Sequence, residues 1–188
     1  MAVKTFTTGE VLTAADTNTY LANSGLVYIT QASWASGGTV SVNNCFTSTY
    51  SAYRLIIRNV KHATTDVNVQ LRLRASGVDT ATNYYWAGRS IVWGGTGGTD
   101  IGTGNTWWER VAVAATANAG GGVVDIIDPQ KANVTSGIWN GVYTATGGQL
   151  NNCSGMQNST TQFDGFSLIA NSGNLTSLTV YVYGYREA

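Results

Sequence analysis

From Leu26 onward the chain alternates apolar and polar residues with a period of two, a pattern that suits extended strands with one wet face. Val67, Val69, Leu71 and Leu73 alternate with Asn68, Gln70, Arg72 and Arg74. Leu178, Val180 and Val182 alternate with Thr179, Tyr181, Tyr183 and Tyr185. Successive side chains of a strand point to opposite faces, so each run buries one row and solvates the other. Further strands are expected at Leu26–Trp34, Tyr53–Val60, Asn83–Trp93, Trp107–Thr116, Gly122–Ile127, Ile138–Thr146 and Phe163–Ala170. Turn formers separate them at Ser36-Gly37-Gly38, Ala75-Ser76-Gly77, Asn118–Gly122, Thr146-Gly147-Gly148 and Asn171–Asn174. About nine or ten short strands with such turns predict an all-β fold, an antiparallel β-sandwich or jelly roll. No helical pattern alternates with the strands, which argues against a parallel α/β sheet.

One short N-terminal helix completes the expectation. Thr13-Ala14-Ala15-Asp16 resembles a capping box, and Ala14, Ala15, Tyr20, Leu21 and Ala22 continue it to about Asn23, before Gly25. Roughly ten residues of helix do not persist alone in water, so Phe6, Val11, Leu12, Tyr20 and Leu21 need a partner surface. The chain therefore divides into an attachment segment over 1–25 and one β-sandwich domain over 26–188.

Composition removes several function classes. Lys plus Arg (10) equals Asp plus Glu (10), and charged residues make up 11% of the chain, against about 25% in average proteins. Such a chain has no counterion-release term for nucleic acid and no attraction to anionic lipid. Its apolar runs fall far short of the roughly 20 residues of a membrane span, and Met1–Phe6 lacks the apolar core of a secretion signal. Neither nucleic acid nor membrane insertion is expected. Cys45 and Cys153 fit neither a metal knuckle nor a disulfide framework and are expected as small core thiols in a protein made in a reducing cytoplasm.

Tests for chemistry come out thin. Gly95 and Gly97 are followed by Asp100 where a phosphate loop needs its third glycine, and a strand follows instead of a helix. The single histidine, His62, lies in Asn59–Thr64 and is expected as a solvated turn residue. Asp128 before Pro129 reads as a turn former rather than the partner of Asp125. Glu109, beside Trp107-Trp108, is the one acid in an aromatic setting, where burial raises a carboxyl pKa. No second acid stands in a sequence relation that predicts the roughly 5–10 Å separation of a glycosidase pair. No catalytic residue, metal or cofactor is expected.

Six Trp and ten Tyr are the compositional anomaly. Rigid amphipathic rings give large contact areas at little entropic cost. The Tyr181, Tyr183, Tyr185 row is the candidate subunit interface, since the opposite face of its strand is already apolar. Gly94–Asn105 is expected as a long irregular loop between aromatic strands. With its surroundings it supplies the candidate partner contacts Trp93, Gly97, Gly98, Trp107 and Trp108.

The run Phe6-Thr7-Thr8-Gly9-Glu10-Val11-Leu12-Thr13-Ala14-Ala15-Asp16-Thr17-Asn18-Thr19-Tyr20-Leu21 resembles the start of many tailed-bacteriophage virion proteins, described as tail fibre, minor tail or structural proteins. The resemblance continues in Asn44–Ile57, Leu71–Asp79 and Val180–Arg186, but not through residues 80–150. It implies a non-enzymatic β-rich virion component, assembled in the bacterial cytoplasm as a homotrimer. The first expectation is a tail fibre or tail-tip protein that contacts other virion proteins and a host surface glycan or protein. The alternative is a head decoration or capsid fibre protein, and the third class is a polysaccharide-cleaving enzyme.

Overall fold

The computed structural model describes residues 7–16, 25–64, 66–116, 119–142 and 148–186. Helix α1 (Ala14–Asp16) is followed by β1 (Leu26–Trp34), β2 (Thr39–Val42), β3 (Ala52–His62), β4 (Val67–Ala75), β5 (Val78–Asp79), β6 (Tyr84–Val92) and β7 (Gly97–Asn105). Then come β8 (Trp108–Ala114), β9 (Gly120–Ile127), β10 (Thr135–Val142), β11 (Gln149–Gln157), β12 (Gly165–Ala170) and β13 (Leu175–Tyr185). The strands form an antiparallel sandwich. The large sheet has the order β1-β13-β3-β9-β10-β11-β6-β7, and the small one β2-β12-β4-β5, with β8 also paired to β4.

The expected alternation holds where it was clearest. Leu178, Val180 and Val182 of β13 face the core, as do Val69, Leu71 and Leu73 of β4. The β4–β5 hairpin turns at Ser76 and Gly77, both with positive φ (51° and 78°), the geometry of a two-residue primed turn. At α1 the expected cap forms: Thr13 Oγ1 accepts from the Asp16 N–H, and Asp16 Oδ2 accepts from the Thr13 N–H, both at 3.1 Å. Helix is described only over Ala14–Asp16, and the rest of the expected helix, with Tyr20 and Leu21, lies outside the described residues, as does Phe6.

Two expectations are corrected. Gly94–Asn105 is not one irregular loop: Gly97–Asn105 is the edge strand β7, paired with β6 from Ile91↔Gly97 to Tyr84↔Asn105. Its Gly- and Thr-rich sequence lacks apolar alternation because backbone hydrogen bonds, rather than a buried row, hold it. His62 is not solvated but buried at the end of β3. Its Nδ1 accepts the Thr64 N–H (3.4 Å), which leaves Nε2 to donate to the Ser172 carbonyl (2.9 Å).

The core is packed as indole against glycine. Trp108 of β8 stacks on Trp139 of β10, with centroids 5.4 Å apart, and meets Tyr84 edge-on at 5.8 Å. Room for these rings comes from glycines within strands. A Cβ at Gly137 would lie 2.9 Å from Trp108 ring carbons, and one at Gly155 would lie 2.8 Å from Trp86 Cβ. A further group lets β8 rest on the large sheet at backbone distance. A Cβ at Gly120 would overlap the Val113 carbonyl, one at Gly122 the Val111 carbonyl, and one at Gly141 would lie 2.8 Å from the Arg110 carbonyl. Beyond β8, Ala115 bridges to β3: the His62 N–H donates to its carbonyl at 3.0 Å.

These contacts make Gly122→Ala destabilising by about 1–3 kcal/mol, the usual range for overpacking, or a fall of roughly 2–4 °C in Tm per kcal/mol. Gly98, with nothing within 4 Å of an added Cβ, is the control. Thermal melts should leave Gly98→Ala within about 2 °C of the parent, which corresponds to the ±0.5 kcal/mol of an ordinary surface change.

Candidate functional site

The two outer faces of the sandwich differ in kind. On the small sheet, a polar network covers the outside: Arg74 donates to Asn43 Oδ1 (2.9 Å), Ser41 Oγ (3.0 Å), Ser167 Oγ (2.8 Å) and Asp79 Oδ1 (2.5 Å). On the large sheet, the outside mixes charged groups with exposed apolar ones. Strand register places Leu26, Tyr28, Ile91, Ile101, Ile127, Ile138, Leu150 and Met156 on one face, and all are exposed. Ile101 and Ile138 are 76% and 52% exposed, and solvent-facing apolar groups of this kind, where they gather, mark contact surfaces. Tyr85, Ile101, Ile127, Ile138 and Met156 line a shallow groove there.

Toward β1 this face carries one organised polar group. Arg54 Nε and Nη2 donate to the two oxygens of Asp125 at 2.8 and 2.7 Å, a bidentate pair. The Tyr185 hydroxyl donates to Asp125 Oδ1 at 2.8 Å, while the Arg54 guanidinium lies 5.4 Å from the Tyr185 ring centroid. Burial alone pushes the Asp125 carboxyl up, but the Arg54 and Tyr185 hydrogen bonds and the Arg54 charge outweigh it and hold the pKa below the usual range. Arg58, Lys61 and Arg89 stand exposed on the same face, and none has a carboxylate partner among the described residues.

The candidate interface row lies on this face. Tyr181, Tyr183 and Tyr185 are half-buried on the outer side of β13, with Tyr183 edge-on to Tyr28 at 5.9 Å. Of the candidate attachment residues, Val11 and Leu12 are exposed, at 78% and 50%.

The candidate partner contacts do not form one cluster. Trp93 is exposed and lies with Gly97 and Gly98 at one end of the β6–β7 hairpin. Trp107 lies beyond the other end, about 23 Å away at strand rise. There it is half-buried under Arg72 (5.2 Å to the ring centroid) and donates its indole N–H to Glu109 Oε2 at 2.8 Å. Trp108 is corrected outright: it is fully buried and serves the core. Missed by sequence reasoning were Ile101, Ile127, Ile138, Leu150 and Met156. The signal for Ile127 was its position two residues beyond Asp125, on the same side of β9.

Glu109 bears out its aromatic setting. Burial raises its pKa, against the hydrogen bonds from Gln70 (2.7 Å) and Trp107. Both groups bonded to its Oε2 are N–H donors, an arrangement that fixes a carboxylate in place. Among the described residues, no group of three His, Cys, Asp or Glu could hold a metal ion. Cys45 and Cys153 are free and buried, as expected of core thiols, and burial pushes their pKa values up to about 12 and about 11. No family model matches the chain, and no curated protein or solved structure matches it either.

Two outcomes follow. Because the folded pKa of Asp125 is depressed, its stabilisation is complete above the unfolded carboxylate range and is lost as pH falls through the folded value. Arg54→Gln should therefore lower Tm at pH 7 by no more than about 4 °C, given the partial exposure of the pair. That gap should close toward pH 2 in a melt series; a gap constant with pH would contradict the assignment. A chromogenic disulfide reagent at pH 8 should find no reactive thiol in the native protein and both thiols in guanidinium.

Proposed function

We propose that this chain is a non-enzymatic structural component of a bacteriophage virion, a tail fibre or tail-tip protein that takes part in attachment. In this reading it assembles as a homotrimer in the host bacterial cytoplasm and is carried on the particle. The observation that carries the proposal is the set of exposed apolar groups on the outer face of the large sheet, with Ile138 half-exposed at its centre. Leaving such groups in water is unfavourable, and association with a protein surface relieves that cost. The resemblance of Phe6–Leu21, Asn44–Ile57, Leu71–Asp79 and Val180–Arg186 to tailed-phage virion proteins gives the assembly its setting.

Within the proposal, residues 1–24 join the domain to the assembly, and Trp93 with Gly97 and Gly98 offers an exposed tip for a host surface glycan or protein. Cryo-electron microscopy of intact virions is expected to find the domain at the tail, and density on the capsid alone would contradict the tail assignment. Sedimentation velocity at micromolar concentration is expected to give a trimer for the parent and lighter species for Ile138→Glu, with an unchanged circular dichroism spectrum because the side chain is exposed on the single subunit. A monomeric parent would sink the self-association.

A further inference from the structure

Charge is balanced over the whole chain but not over its surfaces. The formal net charge is zero. On the outer face of the large sheet, Arg54, Arg58, Lys61 and Arg89 meet one described acid, Asp125, which leaves an excess of three positive charges. Arg54 already holds Asp125, so Arg58, Lys61 and Arg89 stand exposed without a carboxylate partner among the described residues. Unpaired charges of one sign gathered on one face attract and steer a partner of the other sign.

These cations stand at one end of the face. Register sets Val142, Leu150, Ile91 and Gly97 in one row across β10, β11, β6 and β7, and Asn140, Asn152 and Arg89 in the next. Arg58 adjoins the first row through Gly121, which pairs with Val142 and where an added Cβ would lie 3.9 Å from the Arg58 Cα. The missing side chain at Gly121 helps to leave a shallow concavity of about 400 Å³, lined also by Ile56, Val123 and Asn140. Asn152 Nδ2 donates to Asn140 Oδ1 at 2.7 Å, so two exposed amides are held in line. Arg89 reaches toward Gly97, where an added Cβ would lie 3.7 Å from its Nη2, at the hairpin end that carries the exposed Trp93. Ile127 and Met156 lie at the opposite end of their strands. Four strand spacings of about 4.8 Å put β3 roughly 19 Å from β6. An extended chain bridges Arg58 and Arg89 across that span; one small anion does not.

Such ground suits acidic sugars. Planar amides and guanidinium groups bond hydroxyls and carboxylates, and a guanidinium takes a carboxylate in a bidentate pair. Val142, Leu150 and Trp93 offer apolar surface to the C–H faces of the rings. A folded protein partner draws its affinity from anchors in deep pockets, and this concavity is shallow. We propose that this end of the large-sheet face binds an acidic polysaccharide, an extended chain of carboxylate-bearing sugars, with Arg58 and Arg89 on its carboxylates and Asn140 and Asn152 on its hydroxyls. The inference gives the proposed host contact its chemical class and rests on that reading for its setting. Exposed charges carry the contact, so it weakens as salt rises.

Isothermal titration of the full chain tests it, with oligogalacturonate long enough to span both arginines and with the same oligomer methyl-esterified. The acidic oligomer should bind saturably at low salt, and the neutral ester should not. Arg58→Gln and Arg89→Gln should each weaken binding by up to about fivefold, the scale of one exposed ion pair, and the double variant by more than either. Lys131→Gln, whose lysine pairs with Asp128 away from this end, should bind like the parent. No binding of the acidic oligomer, equal binding of its ester, or a double variant that binds like the parent would each overturn the proposal. Polyglutamate or duplex DNA bound as tightly would assign the face to an acidic protein or a nucleic acid and overturn it too. Binding in solution needs neither a trimer nor a place on the tail. A null titration therefore fails this inference alone, while a monomeric parent or density on the capsid alone fails the proposed function.

Discussion

The close approach of β8 to the large sheet is the contact on which the sandwich depends. Its carbonyls at Arg110, Val111 and Val113 lie where side chains from Gly141, Gly122 and Gly120 would otherwise stand. That places Trp108 within stacking distance of Trp139 and lets the Trp139 indole N–H donate to the Glu109 carbonyl at 2.9 Å. Beyond it, Ala115 hydrogen-bonds to β3, so one strand ties the two sheets together at their rim. Glycine carries an entropic cost in a strand, roughly 0.5–1 kcal/mol relative to alanine. Here that cost is offset by burial of two indoles and by close contact along the whole of β8.

This explains what the sequence disclosed and what it did not. Period two was legible in β1, β3, β4 and β13, where the apolar rows are unbroken. It was illegible in β7 and β11, Gly97–Asn105 and Gln149–Gln157, where Gly, Thr, Asn and Gln fill the strand. Asn118–Gly122 was taken for a turn, yet Gly120 to Gly122 open β9, because a glycine needed for close approach looks like one needed for a turn. Trp108 was mistaken for a surface ring for the same reason: the hole that receives it is made by Gly137, about thirty positions away. His62 was misjudged because burial came from Ser172 and Gly173, far along the chain.

The two faces of the finished sandwich divide its labour. The small sheet closes its outside with the Arg74 network and the Arg72–Trp107–Glu109 group, in which Glu109 Oε2 takes two hydrogen bonds and Oε1 is buried without one. The large sheet leaves apolar groups exposed on its outside over β7 to β9 and is organised by Arg54, Asp125 and Tyr185 toward β1. Edge strand β7 turns its one charge, Asp100, inward to Arg110 at 2.6 Å, a known guard against indiscriminate strand pairing. The fold therefore favours contact through its face over extension through that edge.

Native-state hydrogen exchange across the strands tests the glycine-seated β8 most directly. By pairing alone, β8 is an edge strand like β7, and edge strands exchange through local opening. If close packing against β9 and β10 holds the sandwich together, amides of Val111 to Ala114 exchange only with global unfolding, at the free energy measured for β3 and β9. Those of β7 then exchange faster by orders of magnitude. Exchange of β8 at the rate of β7 would contradict the account.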